Sequence, residues 1–476
     1  MTSYVNPIVH MDLSDPDVIR MGDDYYMITS SFTYQPAIPI LHSKDLVHWR
    51  IVNHVLDSLP GDRYLRPCHG SGAWAPSIRV HEGTVHVFIP LVDEGILVAK
   101  SDDILGHFET NMLTHEAGWI DPCPLWDDDG RTYMVFAFAR SRTGHADAIA
   151  IIETDKDFTH TIGDWRVLHS GPTAEGPKAY RRGQWHYILF PEGGVATGWQ
   201  SAIRSRSLDG PWEYRVLLRQ GESTVNGPHQ GALVDTAGGD LFFLHFQDVG
   251  TFGRILHLQP ARWHEDWPVI GEEGRPVRSG TTTLEEWPCT IQMDDDFTEA
   301  ELGLQWAWQA KPDKDWYALG DDGLRLFCRS EGGDIWSADN VLSQWAKGPR
   351  LVATSGIGLH SDRPGDCISL GMTGLKGGYL SLEEGRLSLY ALCVGEHDRL
   401  VESVDIEEKD IVVRMEADKD SLAFSYSNDG QSFTSFSTCL SLTKGMWTGA
   451  RIALWATNRQ ALEGRGLGKV HYIHFK

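Results

Sequence analysis

Three acidic residues each open a short segment that leads into a turn. These segments are Asp15-Pro16-Asp17, Asp121-Pro122 and Glu175-Gly176-Pro177. Carboxyl groups that converge on one site can divide acid and base chemistry between them, because close like charges raise at least one pKa. Taken singly, each segment is also an ordinary turn. Their chemistry therefore depends on whether the fold brings them together.

A repeated strand pattern gives the three acids equivalent positions. Five times in the first 270 residues, a turn glycine precedes an aromatic-rich, β-branched run, at intervals of 47–61 residues. Such runs are typical of strands, and each is followed by another short apolar segment. A unit of three or four strands at this spacing is typical of a β-propeller blade. The pattern predicts five blades, with a β-sandwich carrying long loops as the alternative. The five glycines are Gly22, Gly83, Gly130, Gly183 and Gly239.

The register of this repeat aligns one residue ahead of each glycine, 7–10 positions upstream. The first strand of every blade lines the central channel of a propeller, so aligned residues form a ring at one channel mouth. The predicted ring consists of Asp15, Ala75 (next to Trp74), Asp121, Glu175 and His229.

Three carboxylates in such a ring are suited to glycoside hydrolysis. That reaction needs one carboxylic acid to protonate the leaving oxygen and one carboxylate to activate water or attack the sugar, and their separation sets the stereochemistry. Asp15 and Glu175 are far apart around the ring, which favours the wide, inverting arrangement, whereas Asp121 is the immediate neighbour of Glu175. Spacing alone leaves open which end of the pair is the acid.

The order and spacing of these segments resemble the inverting glycoside hydrolases of family 43. The resemblance spans the whole repeat region and implies that Asp15 is the general base, Asp121 the pKa modulator and Glu175 the general acid. It is carried by Asn6-Pro7-Ile8, Asp15-Pro16-Asp17, Tyr25-Tyr26, His42-Ser43-Lys44-Asp45, Trp74-Ala75-Pro76, Asp121-Pro122, Glu175-Gly176-Pro177 and Gly253-Arg254.

The same resemblance implies supporting residues. His229 matches a channel histidine that in some members contacts a hydrated calcium ion below the sugar, so a structural Ca²⁺ with His229 as its contact is expected. Arg254 matches an arginine that reaches substrate hydroxyls, and Phe32 and Trp74 would form apolar walls for a sugar face. The plainer alternatives are a packed channel histidine, an ion-pair arginine and blade-packing aromatics. Asp127-Asp128-Asp129-Gly130 is predicted to be only a hairpin turn.

The blade pattern stops after about residue 270, which predicts two domains. We expect an all-β chain with a propeller over residues 1–275, a linker over 276–293 and a β-sandwich over 294–476. The sandwich segment resembles the C-terminal domain of family members that act as β-xylosidases and α-L-arabinofuranosidases. It could bind carbohydrate, or supply a loop that rims the propeller pocket.

Composition restricts the partners. A formal charge of −24 over 476 residues disfavours nucleic acid and anionic membrane surfaces. The start lacks a signal-peptide pattern, so a cytoplasmic location is expected. Seven scattered cysteines without a Cys-x-x-Cys pair indicate reduced thiols. The oligomeric state is left open, and a homo-oligomer is compatible with the sequence.

The sequence therefore predicts an inverting exo-glycosidase that needs no cofactor for its chemistry. Its expected substrates are xylo- or arabino-oligosaccharides from hemicellulose, cut at terminal β-D-xylosyl or α-L-arabinofuranosyl residues. One alternative is a non-catalytic glycan-binding propeller, which would not need a carboxyl group of raised pKa. The other is a glycoside phosphorylase, which would need a basic phosphate cradle, for which Arg254 is the obvious candidate.

Overall fold

The computed structural model describes residues 1–330 and 334–476 and contains almost entirely β structure in that part of the chain. The first strand is β1 (Thr2–Val5). Five four-stranded antiparallel sheets follow, each with its strands in sequence order, which is the five-bladed propeller that the repeat predicts.

Blade one holds β2 (Asp17–Met21), β3 (Asp24–Ile28), β4 (Ala37–Ser43) and β5 (Arg50–Leu56). Blade two holds β6 (Ser77–His81), β7 (Thr84–Leu91), β8 (Gly95–Ser101) and β9 (Glu109–Thr114). Blade three holds β10 (Trp119–Trp126), β11 (Thr132–Phe138), β12 (Ala148–Thr154) and β13 (Thr161–Ser170), with helix α1 (Arg140–Thr143) between its second and third strands. Blade four holds β14 (Lys178–Arg182), β15 (Trp185–Glu192), β16 (Trp199–Ser205) and β17 (Glu213–Leu218). Blade five holds β18 (His229–Asp235), β19 (Leu241–Asp248), β20 (Arg254–His264) and β21 (Trp267–Ile270). Single 3₁₀ turns lie at Asp62–Leu65 and Gly250–Phe252.

The five repeat glycines all lie in the hairpin between the first and second strands of a blade. Their φ angles range from 57° to 89°, a left-handed conformation that glycine adopts without the penalty other residues incur. This requirement explains why glycine recurs there while the rest of the repeat varies. The aromatic run behind each glycine becomes the second strand, buried between neighbouring blades.

Within the described residues, blades one and five are separate sheets without a shared strand. The N-terminal segment connects the two ends of the propeller instead. Strand β1 pairs with β22 (Ser279–Thr282), which lies beyond the last blade. Asn6 donates its side-chain amide to the carbonyl oxygens of Leu258 and Val277 at 2.8 and 2.9 Å, and accepts from the Leu258 N–H at 2.8 Å. The N-terminal segment thereby holds blade five in place.

The remaining strands form two facing sheets, the β-sandwich predicted for this part of the chain; residues 331–333 lie outside the described residues. In spatial order, the first sheet contains β23 (Ala307–Trp308), β26 (Leu342–Trp345), β36 (Arg451–Asn458), β28 (Asp366–Thr373), β29 (Lys376–Glu383), β30 (Arg386–Cys393) and β31 (Arg399–Asp405). The second contains β24 (Tyr317–Gly320), β25 (Gly323–Phe327), β37 (Leu467–Phe475), β27 (Arg350–His360), β32 (Asp410–Asp418), β33 (Ser421–Ser427) and β34 (Thr434–Ser435), with β35 (Leu440–Ser441) also paired to β33.

The sandwich packs directly on the propeller. Gln35 and Trp308 exchange backbone hydrogen bonds of 2.9 and 2.6 Å across the boundary. One hydrophobic cluster contains residues of both parts, among them Leu13 and Phe252 of the propeller and Trp306 and Leu454 of the sandwich. This contact brings a sandwich loop to the channel mouth. Within the described residues, no helix has the length and apolar character needed to span a membrane.

Candidate active site

The predicted ring residues lie at one end of the channel, at or just before the first strand of each blade. Four of the blades contain a residue with positive φ there: Asp15 at 56°, Asp121 at 55°, Gly176 at 59° and Gln230 at 33°. Asp121 and Gln230 sit at register shifts in β10 and β18. Such conformations are unfavourable outside glycine and cluster at functional sites, where a bulge redirects a side chain.

Asp15 is held by a cation and a hydroxyl group. Nη1 of Arg254 lies 3.0 and 3.1 Å from its two carboxylate oxygens, and the Ser30 hydroxyl donates to Oδ2 at 2.5 Å. Both Asp15 and Arg254 are largely buried, with 6% and 11% of their side chains exposed. Both partners donate hydrogen bonds to the carboxyl oxygens and thereby hold Asp15 in position.

Asp121 is buried in a different environment. It accepts a hydrogen bond of 2.7 Å from the Gly176 N–H, within the blade-four segment that carries Glu175. Burial first, and then the negative charges of Glu175 and Asp15, raise its pKa to about 7. The Asp121 carboxyl group therefore keeps its proton to a higher pH than an ordinary aspartate.

Glu175 is the most accessible of the three acids, with a quarter of its side chain exposed. Its Oε1 lies 2.8 Å from Nε2 of buried His229. His229 Nδ1 has no hydrogen-bond partner in the described structure. This arrangement favours the tautomer with the proton on Nε2, because a buried N–H without an acceptor costs more free energy than a buried ring nitrogen without a donor. His229 then donates to Glu175 and orients it.

The three acids line one cavity of about 260 Å³, below the roughly 300–1,000 Å³ of pockets for larger ligands. Aromatic rings form its wall: Trp74 lies 6.3 Å from Phe32 and 6.0 Å from Trp447 between ring centroids. The backbone at Phe32 has φ 53°. It lies so close to Gly72 that a Cβ atom added to Gly72 would be 2.1 Å from the Phe32 carbonyl oxygen. The wall is therefore fixed by its backbone.

The structure places all seven predicted site residues on this cavity, Phe32, Trp74, His229 and Arg254 together with the three acids. Arg254 also forms an ion pair, with Asp15, which is the alternative interpretation of this arginine from the sequence. By contrast, Asp127, Asp128 and Asp129 lie at the separate hairpin of blade three. The roles of the seven residues stay predictions, but their convergence is a property of the fold.

Sequence reasoning missed several lining residues. Trp447 comes from the sandwich, and its only sequence signal was a pair of large apolar residues, Met446-Trp447, in a glycine-flanked turn. Gln230 follows His229 and has a buried amide nitrogen without a partner in the described structure. Its signal was position alone. Thr173, Gly194, Val195 and Phe246 also line the cavity.

The expected calcium ion can be compared with the donors present. Among residues 1–330 and 334–476 no group of three or more His, Cys, Asp or Glu side chains is arranged to hold a metal ion. Calcium prefers six to eight oxygen ligands, whereas the buried ring atom of His229 without a partner in the described structure is a nitrogen, Nδ1. These residues do not fit a protein-ligated calcium.

Two family models match the chain. Residues 4–268 match the glycosyl hydrolases family 43 model, and residues 294–475 match the beta xylosidase C-terminal concanavalin A-like domain. The first match covers the propeller with its cavity, and the second covers the sandwich that supplies Trp447.

Two relatives with similar sequences extend over both domains, and a third matches two thirds of the chain. A putative beta-xylosidase of Xylanibacter ruminicola is 33% identical over 96% of this chain and 87% of that protein. A beta-xylosidase of Formosa agariphila is 28% identical over 96% and 88%. A non-reducing end alpha-L-arabinofuranosidase of Bacteroides ovatus is 28% identical over 67% and 63%.

Solved structures share the fold. A xylan beta-1,4-xylosidase from Bacillus halodurans superposes with a TM-score of 0.87 at 22% identity over 99% of both chains. The same arrangement of propeller and sandwich therefore occurs at low sequence identity.

Proposed function

Because the chain belongs to glycosyl hydrolase family 43, we propose that it is an inverting exo-glycosidase of hemicellulose-derived oligosaccharides. It releases terminal non-reducing β-D-xylosyl or α-L-arabinofuranosyl residues. The observation that carries this proposal is the single small cavity in which three carboxyl groups from three blades converge beneath an aromatic wall.

In the proposed reaction, Asp15 accepts a proton from a water molecule as the water oxygen attacks the anomeric carbon. Glu175 donates its proton to the glycosidic oxygen as the bond from that oxygen to the anomeric carbon breaks. Attack opposite the leaving group inverts the anomeric configuration. Proton exchange with solvent restores both residues.

The surrounding groups support this division of roles. Arg254 and Ser30 stabilise charge on Asp15. Burial and the neighbouring charge of Glu175 raise the pKa of Asp121. His229 orients Glu175 through Oε1, which leaves Oε2 free to protonate the leaving oxygen. Two carboxyl groups in unlike environments are the usual basis for assigning acid and base.

Exo action is supported by the sandwich loop. Trp447 adds a wall that the propeller alone lacks, so the cavity accommodates a chain end better than the middle of a polymer. Terminal β-D-xylosides are the expected preferred substrates, because the relatives that span both domains are named beta-xylosidases.

The geometry disfavours a phosphorylase. Among the described residues that line the cavity, Arg254 is the one arginine or lysine, and it is paired with Asp15. A phosphate ion would therefore have no uncommitted cation there, and turnover is expected to be independent of phosphate.

The test is release of nitrophenol from the β-D-xylopyranoside and the α-L-arabinofuranoside. Asp15→Ala is expected to reduce kcat about 10³-fold on both, since loss of a general base removes 10²–10⁴-fold. Glu175→Ala should lose much less on these good leaving groups than on xylobiose, whose leaving oxygen needs a proton. The control is Asp129→Ala, in the exposed blade-three turn, and its kcat should equal that of the wild type. No turnover of either glycoside by the wild type would refute the proposed substrates.

A further inference from the structure

A group of buried polar side chains lies along the channel just below the three acids. We call this group the channel belt, and it consists of Asp17, Arg79, Cys123, Lys178 and Tyr180. Asp17 and Cys123 follow Asp15 and Asp121 by two residues, and Lys178 follows Glu175 by three. The belt therefore lies in the inner strands β2, β6, β10 and β14, and its members in blades one, three and four follow the acids directly along the chain.

Asp17 and Arg79 form the first contact of the belt, between blades one and two. Nη1 of Arg79 lies 2.7 Å from Oδ2 of Asp17, which also accepts the Ile78 N–H at 2.9 Å. Asp17 is completely buried, and 15% of the Arg79 side chain is exposed. Nη2 of Arg79 reaches Sγ of Cys123 in blade three at 3.2 Å.

Lys178 links blade four to the same group. Its side chain is completely buried, and Nζ donates to the Pro76 carbonyl oxygen at 2.9 Å and to the Ser77 hydroxyl at 2.7 Å. Nζ also lies 3.7 Å from Oδ2 of Asp17. The hydroxyl of Tyr180 accepts the Leu233 N–H of blade five at 2.9 Å. The belt thus connects the inner strands of all five blades.

The belt has a surplus of positive charge. Arg79 and Lys178 contribute two positive charges and Asp17 one negative charge, so one cation is unbalanced within the group. A buried charge without a counter-charge is strongly unfavourable. The acids of the cavity directly above provide the opposite sign.

We propose that the channel belt is a positioning device for the active site. It fixes the inner strands that carry the three acids, and its surplus positive charge offsets the mutual repulsion of those acids, with Asp121 as the acid most directly affected. The proposal extends the proposed function by naming the residues that let three carboxyl groups share one cavity.

The electrostatics of Asp121 agree with this arrangement. Burial is the largest cause of its raised pKa and the Glu175 charge the next, whereas the charge of Lys178 acts in the opposite direction. The charges that act on Asp121 are those of Glu175, Asp15 and Lys178. The other charged and titratable groups of the ring and belt are Asp17 of blade one, Arg79 of blade two, Cys123 of blade three, Tyr180 of blade four, and His229 and Arg254 of blade five.

The test measures the titration of Asp121 directly, by ¹³C NMR of protein labelled at the aspartate carboxyl carbons, with the resonance assigned by its loss in Asp121→Asn. Lys178→Met removes a positive charge and is expected to raise the Asp121 midpoint by about one pH unit. Asp17→Asn removes a negative charge and should lower it by a similar amount. This reading does not depend on which glycoside the protein cleaves, so it is separate from the test of the proposed function.

The double variant Asp17→Asn/Lys178→Met restores the net charge of the belt. Its Asp121 midpoint should return toward the wild-type value, which a purely structural disturbance would not produce. Lys44→Met, which removes a lysine that is 48% exposed on blade one, is the control and should leave the midpoint unchanged.

Folding of each variant is checked by thermal unfolding. Lys178→Gln keeps a donor for Pro76 and Ser77 without the charge, and replaces Lys178→Met if the methionine variant does not fold. An unchanged Asp121 midpoint after neutralising Lys178 would overturn the proposal. Shifts in the same direction for Asp17→Asn and the neutral Lys178 variant would do so as well.

Discussion

The three acids have the same functional group and three different sets of partners. Asp15 contacts an arginine and a hydroxyl group, Asp121 a backbone N–H, and Glu175 an imidazole. Of the three, Asp121 has a raised pKa, caused first by its burial and then by the charge of Glu175. The proposed division into base and acid is based on these unlike contacts.

Arg254 is the residue on which the form and position of Asp15 most depend. Replacing it in Arg254→Met removes both hydrogen bonds to the carboxylate and is expected to reduce kcat roughly 10²-fold, the usual effect of losing one charged contact in a reaction centre. The control is Arg262→Met, whose side chain is 53% exposed in a surface pair with Glu273. Steady-state kinetics on a nitrophenyl glycoside distinguish the two, and equal rates for Arg254→Met and the control would contradict this role.

For individual residues, the sequence predicted the features that depend on position within the repeat. Asp15, Asp121 and Glu175 share one position in a repeat, so a period in the sequence was enough to bring them together. The hydrogen bonds from Ser30 and Gly176 were not predictable, because they follow from the left-handed backbone at Asp15, Asp121 and Gly176. Such local conformations leave little trace in residue type outside glycine.

Among the elements, the loop over residues 443–450 of the sandwich has the most direct bearing on the cavity. Lys444 forms an ion pair of 2.6 Å with Asp248, and the Ala450 N–H donates to the Thr251 carbonyl oxygen at 2.7 Å. Asp12 accepts the N–H groups of Gly449 at 2.8 Å and of Arg254 at 2.9 Å. The loop that presents Trp447 is therefore tied to the same backbone that positions Arg254.

Trp447→Ala is expected to raise KM about tenfold with a smaller effect on kcat, since an aromatic contact contributes roughly 1 kcal/mol beyond its area. Trp165→Ala is the matched control, because Trp165 is 46% exposed on β13 and does not line the cavity. Kinetics with xylobiose provide the measurement. An unchanged KM for Trp447→Ala would show that the sandwich loop has no part in substrate binding.

Element by element, the hairpins were predictable and the docking of one part on another was not. Glycine at each blade hairpin is required by its backbone, so Gly22 and its four counterparts revealed the repeat. The pairing of β1 with β22 and the seating of Trp447 join residues hundreds of positions apart. No local pattern in the sequence records such contacts.

Over the whole molecule, several buried histidines make stability depend on pH. Burial lowers the pKa of His54, His69, His86 and His245 to about 4 and that of His257 well below its ordinary value. Burial is the main cause of the lowered pKa of His245. Nδ1 of His245 donates to the Phe246 carbonyl oxygen, and Nε2 accepts from the Gln259 amide, whose oxygen accepts the Val277 N–H.

The unfolded chain takes up protons on these histidines near pH 6.5, before the folded protein does. Their contribution to stability is therefore complete above pH 6.5 and is lost as the pH falls toward 4. Asp121 acts in the opposite sense, since its raised pKa makes the folded protein bind a proton first between about pH 7 and 4. Burial also raises the pKa of Asp12 and Asp398 and lowers that of His10. Six histidines of lowered pKa thus stand against three aspartates of raised pKa, and acidification is expected to destabilise the fold.

Urea unfolding at pH 7 and pH 5 measures this dependence. The wild type should have a lower free energy of unfolding at pH 5, and His245→Gln should lessen the difference by roughly 2 kcal/mol, because glutamine does not titrate. His160→Gln, at a histidine whose side chain is 66% exposed, should leave the difference unchanged. A His245→Gln protein with the wild-type pH dependence would contradict the assignment.

In the proposed mechanism, Asp15 and Glu175 act on opposite faces of one sugar. Inversion follows from that arrangement and from no other use of the two acids. The most direct measurement is ¹H NMR of the first sugar released from a β-D-xyloside, recorded before mutarotation. Inversion yields α-D-xylose as the initial product, whereas β-D-xylose as the initial product would show retention and refute the proposed roles of Asp15 and Glu175.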